Sequence, residues 1–265
     1  MFEILSYSFF QKALISGILL SIISSILGVF IVLRKEANIT HSISHFLFLG
    51  IALSLLCSGN YYFFAGIFAL FASCAIFFIE KTSLITKEST KEIISQGGIA
   101  GAIFALSFLN NLTLDINSFL FGSILLVQDF DIFMIGIFLV IILGFFIFFG
   151  RKFLSIIINQ DIAKSMGTRT EYYNFIFLIL VSIFIALSIK VFGILLIGAF
   201  LVIPTNTAKI VASSLKQVFM FSLIFSLLGV IIGLFSSHLL DTSSGATIVL
   251  VLICFFIGSL FFQKK

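Results

Sequence analysis

FDIFMIGIFLVIILGFFIFF, residues 130–149, is an apolar run with a single charge, Asp131, near its start. A helix needs about 20 such residues to cross a bilayer. In hydrocarbon only a helix or a closed β-barrel satisfies every backbone N–H and C=O. Barrel strands alternate apolar and polar residues over about ten positions, whereas LVIILGFFIFFG at 139–150 is continuous. The segment reads as a membrane-spanning helix.

Eight further segments read the same way: about 10–33, 41–58, 61–80, 92–110, 174–189, 191–211, 217–238 and 244–262. The expected fold is all-α, a polytopic integral membrane protein of about nine (eight to nine) transmembrane helices in one domain, 1–265. The composition agrees. The chain is 61% hydrophobic and 10% charged, against roughly 45–50% and about 25% in soluble domains. Its 37 Phe beside no Trp read as the codon bias of an AT-rich genome. A net charge of +4 is too small to suggest nucleic acid. Cys57, Cys74 and Cys254 are scattered in apolar runs without a CxxC pair. The start, MFEILSYSFFQK, lacks the basic region and cleavage site of a signal peptide.

Basic residues set the orientation. With the Arg34–Lys35 loop in the cytoplasm, only Lys12 and Lys190 of the 15 Lys and Arg fall outside. The positive-inside rule then favours nine crossings, with the N-terminus out and the C-terminus in. Lys190 alone separates 174–189 from 191–211, and one of these could be a half-helix. Merging them would carry Lys209, Lys216, Lys264 and Lys265 outward, which the charge distribution opposes. Three connections are hydrophilic: 81–91, an outer stretch at 111–129 that could hold a short interfacial helix, and the longest cytoplasmic stretch, 150–173. None could house an enzyme domain, and no GxxxxGK[ST] phosphate loop occurs.

Chemistry must then come from polar groups at membrane depth. In THSISHFLFLG, His41 and His45 are four apart and share a helix face. Imidazole suits zinc, copper, iron or nickel, and a two-fold dimer would bring four imidazoles together. The spacing equally suits helix-end histidines bonded to carbonyls or water. The HExxH arrangement is absent. In NQDIAKSMGTR a short helix closed by Gly167 could dock in a partner's groove, or serve as an amphipathic connector. In KVFGILLIGAFLVIPTNTAK, Pro204 frees a carbonyl that Thr205, Asn206 or Thr207 could satisfy. SSHLLDTSSGA places His238 and Asp241 at an outer helix end. The Gly97–Gly101 and Gly229–Gly233 spacings permit close helix contact.

Together these stretches resemble the permease subunit of the bacterial ABC metal-uptake family of zinc, manganese and iron importers, most closely its zinc permeases. Ser44, His45 and Gly50 match that family's D-A-L-S-H-A-like segment and following glycine, with His41 in place of the usual Asp. Gly122 matches in INSFLFGSILLV. Asp161, Ala163 and Gly167 match the cytoplasmic coupling segment, and Val191, Gly193, Pro204, Ala208, Asp241 and Gly245 match the late segments. Ser243 stands where Pro is frequent.

The resemblance implies a homodimeric path in a bacterial cytoplasmic (inner) membrane and no permanently bound cofactor. It implies an ATP-binding subunit engaging Asp161, Ala163 and Gly167, and an extracytoplasmic metal-binding protein delivering the ion. His41 and His45 become the expected metal ligands, with Pro204 and Asp241 at the pore or gate. With His41 in the carboxylate's place, zinc is favoured over manganese. Manganese or iron remains the alternative cargo. An ion-gradient-driven secondary transporter is the rival class, weakened because most of the 11 Asp and Glu fall in loops or at helix ends. No ATP hydrolysis is expected in the chain itself.

Overall fold

The structure, a computed structural model, describes residues 7–82, 84–108, 119–123 and 127–262. Among them are ten helices: α1 (Ser8–Leu33), α2 (Asn38–Leu56), α3 (Tyr61–Lys81), α4 (Lys87–Leu106), α5 (Asp129–Ile158), α6 (Gln160–Ser165), α7 (Thr170–Phe192), α8 (Ile197–Val211), α9 (Leu215–Leu240) and α10 (Ser244–Leu260). The fold is all-α. Six of them (α1, α2, α3, α5, α7 and α9) are long and apolar enough to cross a membrane. The apolar helices α8 and α10 are shorter, and α4 opens with Lys87, Glu88, Lys91 and Glu92. The expected outer segment 111–129 lies largely outside the described residues, as do Lys264 and Lys265. Of that segment, residues 119–121 are helical.

Each apolar segment corresponds to a helix, but three boundaries move. Helix α5 continues through Arg151 and Lys152 to Ile158, so the expected connection at 150–173 begins only at Asn159. Thr86 caps α4 by accepting from Ser89 N–H at 3.2 Å, which shortens the expected loop at 81–91. Lys190 is not a loop residue. It lies inside α7, and the break comes at Gly193, which has φ +80. Helix α8 therefore has only 15 residues.

The chain divides into two compact units. Unit 1 comprises residues 1–37, 112–139 and 187–265. In it α1 packs on α8 and α9, and α9 on α10. Helix α1 buries Ser16, Ser21, Ser24 and Ser25. Ser16, Ser21 and Ser25 donate to their own helix's carbonyls three or four residues back, so little polarity is left unsatisfied in an apolar setting. Gly229 meets Leu252 and Gly233 meets the Ile248 backbone, which seats α9 against α10. The chain also folds back on itself in this unit. Gly122 (φ +77) and Gly193 (φ +80) lie backbone to backbone, a juxtaposition no Cβ would permit. Ser123 N–H donates to the Lys190 carbonyl at 3.0 Å and Ile194 N–H to the Phe119 carbonyl at 2.9 Å. Gly245 packs against the carbonyls of Phe121 and Phe192.

Unit 2 comprises residues 38–111 and 140–186. Its closest pairing is α2 with α4. Gly98, not the expected Gly97, makes that approach: a Cβ at Gly98 would lie 2.6 Å from the His45 carbonyl oxygen, whereas Gly97 faces open space. Ser73 and Ser182 share a hydrogen bond of 2.7 Å, and the Tyr61 hydroxyl donates to the Ala186 carbonyl at 3.0 Å.

Candidate metal ligands and coupling helix

Helix α2 starts at Asn38, so His41 stands in its first turn and His45 one turn later. Their rings are 5.5 Å apart between centroids. His41 is exposed and His45 half-buried. His45 Nδ1 lies 2.8 Å from Ser95 Oγ on α4. In the tautomer where Nδ1–H donates to that hydroxyl, Nε2 presents its lone pair to a ligand. The hydroxyl then takes the place that a carboxylate, carbonyl or water usually fills behind a metal-binding imidazole. The close approach allowed by Gly98 is what brings Ser95 within reach. Neither Ser95 nor Gly98 was singled out from the sequence, although Ser95, Gly98 and Ala102 form a small-residue stripe on α4's buried face. Among the described residues no three His, Cys, Asp or Glu side chains gather at one place. Two imidazoles are half the number of ligands that a tetrahedral site takes.

The segment after α5 is a one-turn helix with a built start and stop. Asn159 Oδ1 accepts from the N–H groups of Asp161 and Ile162 at 3.0 and 3.1 Å, satisfying two of the free donors at a helix start. At the other end Gly167 adopts φ +80. Its N–H donates to Lys164 O, and Thr168 N–H to Ala163 O, the paired bonds of a glycine-terminated helix. Ala163 is 1% exposed and anchors the turn, while Ile162 (57%) and Met166 (77%) stand out into the surroundings. Asp161 is exposed beside them.

Pro204 sits inside α8. It has no N–H to offer the carbonyl four residues back, that of Phe200. The expected partners do not take that carbonyl. Thr205, Asn206 and Thr207 bond instead to Leu201, Val202 and Ile203. The Ser24 hydroxyl of α1 donates to Phe200 O at 3.2 Å, and Gly28 of α1 meets the neighbouring Leu201 carbonyl. Ser24→Ala should destabilise the protein by about 1–3 kcal/mol, since a buried carbonyl loses its partner. Adding Pro204→Ala, which restores the helix bond, should recover most of this. Thermal unfolding of the purified variants measures both effects; an unchanged Ser24→Ala midpoint would sink the account.

Asp241 ends α9 in the left-handed conformation, φ 51, with its N–H donating to the Ser237 carbonyl. It and His238 line a cavity of about 310 Å³ in unit 1. The same unit holds the buried pair Lys190–Asp131. Lys190 Nζ lies 3.0 and 3.1 Å from the two Asp131 oxygens, with the residues 9% and 5% exposed. Asp131 Oδ2 also accepts from Gln128 N–H at 2.8 Å.

Comparison with known proteins covers nearly the whole chain. Residues 6–263 match the ABC 3 transport family. The high-affinity zinc uptake system membrane protein ZnuB of Haemophilus influenzae is 32% identical over 265 residues, all of both chains. The manganese transport system membrane protein MntC of Listeria monocytogenes is 30% identical, over 99% of this chain and 94% of that one. The solved PsaBC from Streptococcus pneumoniae, in complex with Fab, superposes with a TM-score of 0.86 at 30% identity, over 98% of this chain and 93% of that one. With the family match running almost end to end over an all-helical fold, this chain belongs to the ABC 3 transport family.

Proposed function

We propose that the chain is the membrane permease subunit of an ATP-driven importer of divalent metal ions, and that its cargo is zinc. The observation that carries the reading is 32% identity, over the full length of both chains, to a zinc-uptake membrane protein, supported by the PsaBC superposition. Relatives named for zinc and for manganese are about equally similar, so the choice of ion rests on donor chemistry. Manganese prefers oxygen ligands, while zinc accepts imidazole in a tetrahedron. His41 and His45 supply two nitrogens, and a second copy of the chain supplies two more. The path is shared by the two copies in a bacterial inner membrane, with the C-terminus in the cytoplasm.

A separate ATP-binding subunit does the hydrolysis. It grips α6, where exposed Ile162 and Met166 beside Asp161 offer apolar knobs and one charge on a rigid turn. An extracytoplasmic binding protein hands over the ion. Affinity for zinc in the path stays modest, because a conducting site must also release its ion. Tagged permease purified from native membranes in mild detergent should bring down an ATPase. Asp161→Lys should reduce that recovery by about tenfold or more, through like-charge or steric conflict at a small docking element. Purification without any ATPase, under conditions that keep a known ABC complex intact, would move the reading to a gradient-driven transporter.

A further inference from the structure

The cavity at the junction of α9 and α10 holds polar groups in two classes. One class is already committed. Ser237 Oγ donates to the Thr242 carbonyl, Thr242 Oγ1 pairs with Thr247 Oγ1 at 2.9 Å, and Ser243 Oγ donates to the Phe121 carbonyl at 3.0 Å. The second class is not. The Ser244 hydroxyl, in a residue 4% exposed, has no hydrogen-bond partner among the described residues. His238, exposed like Asp241, makes a ring contact with Phe10 and no hydrogen bond among the described residues. The Asp241 carboxylate has no partner among the described residues. These three line the same cavity of about 310 Å³, and no lysine or arginine lines it with them.

A buried hydroxyl without a partner is costly unless something fills the role. The three groups offer a nitrogen, a charged oxygen and a neutral oxygen. Asp241 repels an anion. The carbonyl end of α9, which His238 and Asp241 flank, favours positive charge. An imidazole and a carboxylate suit a divalent cation of the zinc type, and the hydroxyl adds a neutral oxygen beside them.

We propose that His238, Asp241 and Ser244 form a second, weak divalent-cation site, distinct from His41 and His45 and contained wholly within unit 1. Its ligand is the transported ion, so this step rests on the metal-import reading. A site on a conduction path must also release its ion, so its binding is weak, which suits a place where an ion pauses on its way. Under the orientation set by the basic residues, the cavity opens on the outer face, where the ion arrives. Asp241 adopts left-handed backbone geometry, which asparagine also tolerates. Asp241→Asn therefore removes the charge and keeps the turn.

The test is equilibrium binding of radioactive zinc to the intact permease–ATPase complex in nanodiscs, in a His41→Ala/His45→Ala background. One weak site should remain. Asp241→Asn or His238→Gln should each weaken it by about tenfold or more, the usual scale for disturbing a metal site, and Ser244→Ala by less. Retained ATPase and an unchanged unfolding midpoint certify that each variant is folded. Absence of residual binding, or residual binding indifferent to Asp241→Asn and His238→Gln, would overturn the proposal. Failure of the unmodified complex to bind or import any divalent cation would overturn the import reading instead.

Discussion

Zinc uptake by cells carrying His45→Ala is expected to fall by about a hundredfold or more, since losing a ligand should cost at least as much as losing its outer partner, which costs about 10–100-fold. The imidazole is half-buried and held by Ser95 at 2.8 Å, so its direction is fixed before the ion comes. Ser95→Ala leaves the ligand in place but frees its ring, and a loss of about tenfold is expected. His41→Asp should behave differently. It restores an oxygen donor on the same face, one turn from His45, and moves selectivity toward manganese. Uptake of radioactive zinc and manganese by the same cells, normalised to permease in the membrane, measures all three. Full zinc uptake in His45→Ala would remove α2 from the path. Unaltered selectivity in His41→Asp would sink the donor-set argument for zinc.

Lys190→Met is expected to have the largest effect on stability, about 3–5 kcal/mol, enough to deplete folded protein from the membrane. The cost comes from the charge left behind. Asp131 is 5% exposed and would lose the ammonium that neutralises it. The double variant Lys190→Met/Asp131→Leu removes both charges from the apolar setting and should recover most of the loss. Buried pairs replaced as a pair are often neutral. The unfolding midpoint of the singles and the double decides the matter. A double variant no more stable than Lys190→Met would show that the pair does more than cancel its own burial.

The helices were legible because a membrane span is written in long uninterrupted apolar runs: each of the nine apolar segments corresponds to a helix, six of them long and apolar enough to cross a membrane. What failed was reading single charged residues as boundaries. Lys190 looks like a loop because its neutralising partner lies far away in sequence, at Asp131. Arg151 and Lys152 look like the end of α5, but a helix can continue past the hydrocarbon into the headgroup region, where basic residues are welcome. At the candidate site, the shared face of His41 and His45 follows from helical geometry alone. Ser95 does not, because it depends on which glycine of the adjacent pair Gly97 and Gly98 faces α2. Pro204 teaches the same lesson. The proline itself announces a freed carbonyl, but the partner, Ser24, comes from the first helix and not from the neighbouring Thr205, Asn206 or Thr207.

The backbone clasp between Gly122 and Gly193 has a consequence for biogenesis. The two glycines stand on either side of α5, α6 and α7, so the clasp cannot close until that whole stretch has left the ribosome and α5 and α7 have entered the bilayer. Bringing distant chain segments together carries an entropic cost that must be met before their contact is gained. Unit 1 is therefore completed late, with α1 inserted first and waiting for α8 to α10. A bulky residue at either glycine should leave synthesis and insertion intact while the finished chain fails quality control, a defect seen as rapid turnover rather than absent translation.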